Sequence, residues 1–160
     1  MLPLFRALVY GTLFVALLLV VLPGEVLRAS GVAPPGRVGA PQIVGLTVLG
    51  LGAALAVWCV LTFAFVGRGT PAPFDPPRQL VTGGPYRFVR NPMYIGAGLA
   101  LLGAAIYYGS IALLAYALAF TAATHLFVRF YEEPTLRRLF GAAYEEYCRT
   151  VHRWVPAWRS

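Results

Sequence analysis

NPMYIGAGLALLGAAIYYGSIALLAYALAFTAATHLFV, residues 91–128, is a run of 38 residues without one Asp, Glu, Lys or Arg. As a single helix it would extend about 57 Å at 1.5 Å per residue, far beyond the roughly 30 Å of bilayer hydrocarbon. The break falls at Tyr107-Tyr108-Gly109-Ser110. There an aromatic pair suited to a membrane interface precedes two turn residues. The run therefore predicts a tight helical hairpin with arms at residues 92–107 and 110–130.

Two further apolar segments precede it. Residues 7–22 end at Pro23-Gly24, and residues 42–66 carry no charge at all. The first resembles a signal peptide in having Arg6 ahead of it and small residues near Ala29, but no clean cleavage pattern follows. A retained helix is the expectation. The second is long enough to cross a bilayer with some tilt. After Phe130 the pattern changes. Leu136, Leu139, Phe140, Ala143, Tyr144, Tyr147, Cys148 and Val151 recur at intervals of three and four, with Arg137, Arg138, Glu145, Glu146 and Arg149 between them. That spacing predicts an amphipathic helix lying on the membrane or on the bundle, with Pro134 in its first turn. The expected fold is all-α: an integral membrane bundle of four transmembrane helices with a C-terminal amphipathic helix. Residues 1–66 would supply two N-terminal helices and residues 67–160 a second functional unit.

Composition agrees with a membrane chain. It is 59% hydrophobic and 12% charged, where a soluble domain carries about a quarter charged residues. The net charge of +7 does not require a nucleic-acid partner. Its arginines collect in residues 67–90 and after residue 128, whereas the first loop holds only Arg28 and Arg37 and the hairpin tip none. Positive residues favour the cytoplasmic side. Both termini, residues 67–90 and the tail are therefore expected in the cytoplasm of a multi-pass cell-membrane protein. Cys59 and Cys148 are far apart and lack metal-ligand spacing, so no metal or disulfide is expected.

The hairpin brings two polar stretches to one membrane face. One is residues 83–96, with Tyr86, Arg87, Arg90, Asn91 and Tyr94; the other holds His125, Arg129, Tyr131, Glu132 and Glu133. Each piece has a plain structural explanation. Asn91-Pro92 is a good helix start. The arginines obey the positive-inside rule, and the paired carboxylates suit a helix N-terminus. His125 alone reads as a satisfied bundle residue. Their convergence at one helix mouth is harder to explain so plainly, because ionisable groups there are costly and usually functional.

The run Gly84-Pro85-Tyr86-Arg87-Phe88-Val89-Arg90-Asn91-Pro92-Met93-Tyr94-Ile95-Gly96 resembles the Arg-His-Pro-x-Tyr-x-Gly signature of the isoprenylcysteine carboxyl methyltransferase and phospholipid N-methyltransferase superfamily. Glu132-Glu133-Pro134-Thr135-Leu136, then Phe140-Gly141, Tyr144, Tyr147, Val151 and Pro156, is similar to the family's second motif. Asn91 stands where many members carry His, so a role that needs an imidazole proton does not carry over. The resemblance implies S-adenosylmethionine as methyl donor, held at the cytoplasmic end of the last two helices under the tail. It implies Arg90 and Glu133 as catalytic residues. Tyr86, Arg87, Arg90, Asn91, Tyr94, His125, Glu132, Glu133, Tyr144 and Tyr147 become the cofactor-binding set. Arg87 or Arg90 would pair with the cofactor's carboxylate, and Glu132 or Glu133 would accept from its ammonium or ribose. The acceptor would be lipophilic or amphipathic, such as an isoprenylcysteine carboxylate or a lipid amine, reached from the bilayer.

Two other readings stay open. The membrane sterol reductases use NADPH and carry a similar run ending in Gly-Glu; here Ala97 follows Gly96. A non-enzymatic four-helix protein, such as a small exporter, would want an ionisable group midway through a helix, and the first three segments offer none.

Overall fold

The computed structural model describes residues 15–62 and 79–156. Residues 7–14 of the first apolar segment, residues 63–78 with Arg68 and Arg78, and Trp158 lie outside the described residues. Every regular element within them is helical. A π turn, Leu17–Val21, leads into α1, Leu22–Ala29. Then follow α2, Ala40–Thr62, a 3-10 turn at Gly84–Arg87, and α3, Pro92–Tyr108. Next come α4, Ile111–Phe127, a second π turn at Val128–Glu132, α5, Glu133–Phe140, and α6, Ala142–Thr150.

The hairpin forms where the sequence breaks. Gly109 takes the left-handed conformation at φ 59° and closes α3. Ser110 then caps α4, its hydroxyl accepting from the Leu113 amide at 3.2 Å. The turn costs two residues and leaves the arms antiparallel.

Glycines set the contact between α2 and α3. A Cβ on Gly52 would lie 2.5 Å from Ala100 N and 2.6 Å from Gly96 O. One on Gly96 would lie 2.7 Å from Gly52 O, and one on Gly45 2.6 Å from Tyr107 N. Gly45 and Gly52 on one helix, Gly96 and Gly103 on the other, are each a heptad apart and let the two backbones touch. Small residues at such a seam allow the close packing by which helices associate in lipid. The pairing is antiparallel, so Gln42 reaches Tyr107 O at the hairpin tip while Thr62 abuts Gly84 at the opposite end. The first helix is tied to α4 by Tyr116, whose hydroxyl donates to Leu18 O at 2.7 Å.

Two helix ends expected from the sequence are not ends. The first helix does not stop at Pro23-Gly24 but continues to Ala29. The last apolar helix does not stop at Phe130; the helix is continuous over Ile111–Phe140, 30 residues. Both Pro23 and Pro134 stand two residues past the end of a π turn. A proline in an α-helix clashes with the carbonyl four residues back and leaves it unpaired. Widening the preceding turn moves that carbonyl aside, so the helix passes through. The tail differs as well: it is two helices, parted at Gly141 with φ 51° and ψ −125°, rather than one.

Among the described residues, Ala40–Thr62 and Ile111–Phe140 are long and apolar enough to cross a membrane. Pro92–Tyr108 is apolar but shorter, at 17 residues.

Candidate active site

The end of the bundle away from the hairpin tip carries the polar residues. Glu133, at the start of α5, is 2% exposed. Arg153 grips its carboxylate as a fork, Nε donating to Oε1 at 2.7 Å and Nη2 to Oε2 at 2.8 Å. Arg90 adds Nη2 to Oε1 at 3.1 Å. A carboxylate buried to this extent is tolerable only when paired and hydrogen-bonded. Here two guanidiniums serve one carboxylate, so the cluster keeps a net positive charge.

Arg90 sits just before α3, its side chain 11% exposed. Its Nη1 donates to the Cys148 sulfur, and its backbone amide donates to His152 O at 2.9 Å. Its Nε is buried and, among the described residues, has no hydrogen-bond partner. Buried donors rarely go unpaired in native proteins, so this one marks a place for an acceptor. Asn91 holds the N-cap position of α3 but makes no capping bond; its Nδ2 instead donates to Arg153 O at 3.3 Å.

Glu132 is placed differently from its neighbour. Tyr94, one turn into α3, donates to Glu132 Oε2 at 3.0 Å. Among the described residues no guanidinium lies within ion-pair distance of it. One carboxylate of the pair is thus saturated by arginines and the other is held by a single phenol.

The tail covers this end. Tyr144, Tyr147 and Val151 form a buried cluster with Leu80, Leu136, Phe140 and Cys148 packed against it. Tyr147 donates to Tyr86 O at 2.6 Å, which pins α6 to the 3-10 turn. Tyr86 in turn packs with Cys59 and Val81, its hydroxyl a hydrogen-bond partner of the Cys59 thiol. Burial pushes the phenols of Tyr86, Tyr144 and Tyr147 well above the ordinary range, so all three remain neutral donors. Hydrogen bonding to Glu133 raises the Arg153 guanidinium further.

Of the residues singled out in the sequence, Arg90, Asn91, Tyr94, Glu132, Glu133, Tyr144, Tyr147 and Tyr86 come to one end of the bundle. His125 is there too, but its Nδ1 accepts from Trp154 Nε1 at 3.0 Å. Arg87 is not drawn in. It is exposed, with its guanidinium 4.6 Å from the Phe88 ring. Three further participants, Arg153, Cys148 and Trp154, are not among the site residues that the sequence picks out. Arg153 was counted only as a tail charge. The available signal was stoichiometric, because a carboxylate buried at a helix mouth needs cations and the tail arginines are the nearest supply.

A family profile described as phospholipid methyltransferase matches residues 40–143. Two curated rice proteins, from Oryza sativa subsp. indica and subsp. japonica, are each named "Probable protein-S-isoprenylcysteine O-methyltransferase". The chain is 32% identical to each over 123 residues, 71% of its own length. It spans 60% of the length of those relatives. No solved structure matches it.

Proposed function

This chain belongs to the phospholipid methyltransferase family, and on that premise we propose that it is an integral membrane, S-adenosylmethionine-dependent methyltransferase. Its acceptor is lipophilic or amphipathic, an isoprenylcysteine-like carboxylate or a lipid amine. Within this reading residues 67–160 hold the cofactor and residues 1–66 shape the approach of the acceptor. The observation that carries the proposal is the net-positive cluster around buried Glu133, formed with Arg90 and the partly exposed Arg153, in which Arg90 Nε has no acceptor among the described residues.

The residues present suit the cofactor's groups. S-adenosylmethionine brings a carboxylate, an ammonium, ribose hydroxyls, an adenine ring and, as its chemistry, a methyl group activated on a sulfonium. Arg90 Nε is a charged donor for the carboxylate. Glu132, held by Tyr94 alone among the described residues, has acceptor capacity left for the ammonium or a ribose hydroxyl. Tyr144 and Tyr147 supply rings and roof the site from the tail. Glu133, with both oxygens on guanidiniums, serves as the organiser of the positive groups. Such a site works mainly by alignment and by excluding water. Holding donor and acceptor in line removes much of the entropic barrier, and the apolar tail cluster keeps water out.

The test is labelled methyl transfer on membranes that contain the protein, followed by lipid extraction. Label from S-adenosylmethionine should enter the lipid or prenylated fraction. Calorimetry in nanodiscs should show S-adenosylmethionine and its demethylated product binding more tightly than NADPH. Binding of NADPH with no response to S-adenosylmethionine would reject the proposal in favour of a reductase.

A further inference from the structure

Residues 152–154 are tied to the entry of α3 and to two places along the continuous helix that α4 and α5 form. His152 O accepts from Arg90 N at 2.9 Å and Arg153 O from Asn91 Nδ2 at 3.3 Å, both at the entry to α3. Trp154 Nε1 donates to His125 Nδ1 near the end of α4, with ring centroids 5.9 Å apart. The Arg153 side chain takes Glu133 at the start of α5.

The fork between Arg153 and Glu133 has a consequence for Arg90. Glu133 would already be neutralised by Arg90 alone, and burying a second guanidinium has a desolvation cost. With Arg153 on both carboxylate oxygens, Arg90 keeps a single contact with Glu133, through Nη2, and its Nε has no partner among the described residues. Without Arg153, Glu133 is free to take Arg90 as a fork through Nε and Nη2, the geometry that guanidinium and carboxylate prefer. The donor edge of Arg90 would then be withdrawn from the site.

We infer that Arg153 is a positioning residue: by occupying both oxygens of Glu133 it keeps the Nε edge of Arg90 available to an anionic group of the ligand. This rests on the methyltransferase reading above, with the cofactor's carboxylate as the anion.

The experiment measures binding of S-adenosylhomocysteine in nanodiscs by calorimetry for wild type, Arg153→Met, Glu133→Gln and the double variant. Arg153→Met should weaken binding at least tenfold. In the Glu133→Gln background the same change should cost less than threefold, because the competitor for Arg90 is gone. An equal cost in both backgrounds, or wild-type affinity in Arg153→Met, overturns the inference. Where Arg153→Met cannot be purified, Arg153→Lys keeps the charge but not the fork and should also weaken binding. A second readout separates positioning from mere tethering. In a Trp58→Phe, Trp158→Phe background, Trp154 is the sole fluorophore. Its emission should be unchanged by Arg153→Met, because the ties through His152 and Trp154 remain. A red shift to the exposed value would make Arg153 a tether and overturn the inference. A wild-type protein that binds no S-adenosylhomocysteine defeats the methyltransferase reading and this inference with it, whereas a tightly binding Arg153→Met defeats the inference alone.

Discussion

Glu132 and Glu133 are neighbours in sequence with opposite surroundings, because consecutive residues of a helix point about 100° apart. Glu133 faces two guanidiniums, whereas Glu132 faces the Tyr94 phenol. Their substitutions should therefore fail in different ways. Glu132→Gln keeps the size and the hydrogen bond but loses the charge. It should leave the fold intact while weakening cofactor binding about thirty-fold or more, equivalent to roughly 2 kcal/mol. Glu133→Gln leaves Arg90 and Arg153 side by side without a counter-charge. Breaking a buried pair in this way costs about 3–5 kcal/mol, so the loss should fall chiefly on thermal stability, with the folded protein still binding. Thermal unfolding and calorimetry on the same nanodisc samples distinguish the two; equal stability losses for both variants would remove the division of roles. The sequence brought both residues into view through their position at the hairpin mouth. It gave no means of ordering them, because which of two adjacent carboxylates meets the arginines depends on the helical phase, and the π turn shifts that phase.

Run lengths locate apolar helical segments, but not where the helices stop. The uncharged residues 91–128 divide at Gly109-Ser110 as turn chemistry requires, and α2 matches its charge-free segment through its last described residue. In the sequence Pro23 marks a helix end because proline is incompatible with an α-turn, and Pro134 marks the first turn of a new helix; a π turn, which lets the helix run on through each, leaves no composition signal. Gly141 likewise lay inside a clean three-and-four pattern, yet its positive φ parts α5 from α6. The glycines of α2 and α3 had no legible partner, since a heptad of glycines reads as mere apolar filler until the facing helix is known. Their role is open to a matched pair of substitutions. Gly103→Ala would thrust a methyl group onto the backbone of Leu49 and Gly45, whereas Gly98→Ala meets only Thr121 Oγ1 at 3.6 Å. Overpacking of this kind costs about 1–3 kcal/mol, while an unopposed Gly→Ala change in a helix gains up to about 1 kcal/mol. Gly103→Ala should thus lower the unfolding midpoint in detergent and Gly98→Ala should hold or raise it. If both shift the midpoint alike, the close approach of α2 and α3 is not what those glycines provide.

The antiparallel arrangement of α2, α3 and α4 puts the ionic cluster and the hairpin tip at opposite ends of the molecule, and this bears on how the chain sits in a membrane. The cluster end holds Arg87, Arg90, Arg129, Arg137, Arg138, Arg149 and Arg153, whereas the loop that joins α1 to α2, on the tip side, holds Arg37 with Arg28 just before it. Arginine near helix ends is retained on the cytoplasmic side, so the imbalance predicts that the cluster lies there. A polar cofactor made in the cytosol needs the same orientation, so charge and the proposed chemistry agree without depending on each other. The expected topology is four crossings with both termini inside. Single cysteines in a Cys59→Ala, Cys148→Ala background make it measurable. Gly36 is exposed, and a side chain added there meets nothing within 4 Å, so Gly36→Cys is a benign reporter for the tip side. Arg149, exposed on α6, reports on the cluster side through Arg149→Cys. A membrane-impermeant maleimide applied to intact cells should label Cys at 36 and spare Cys at 149, with the pattern reversed in inside-out vesicles. Labelling of position 36 only from the cytoplasmic side would invert the orientation and take the cofactor proposal with it, since the arginine cluster would then face away from its donor. Labelling of both positions from one side would contradict the antiparallel bundle itself, because no orientation of this fold brings Gly36 and Arg149 to the same face.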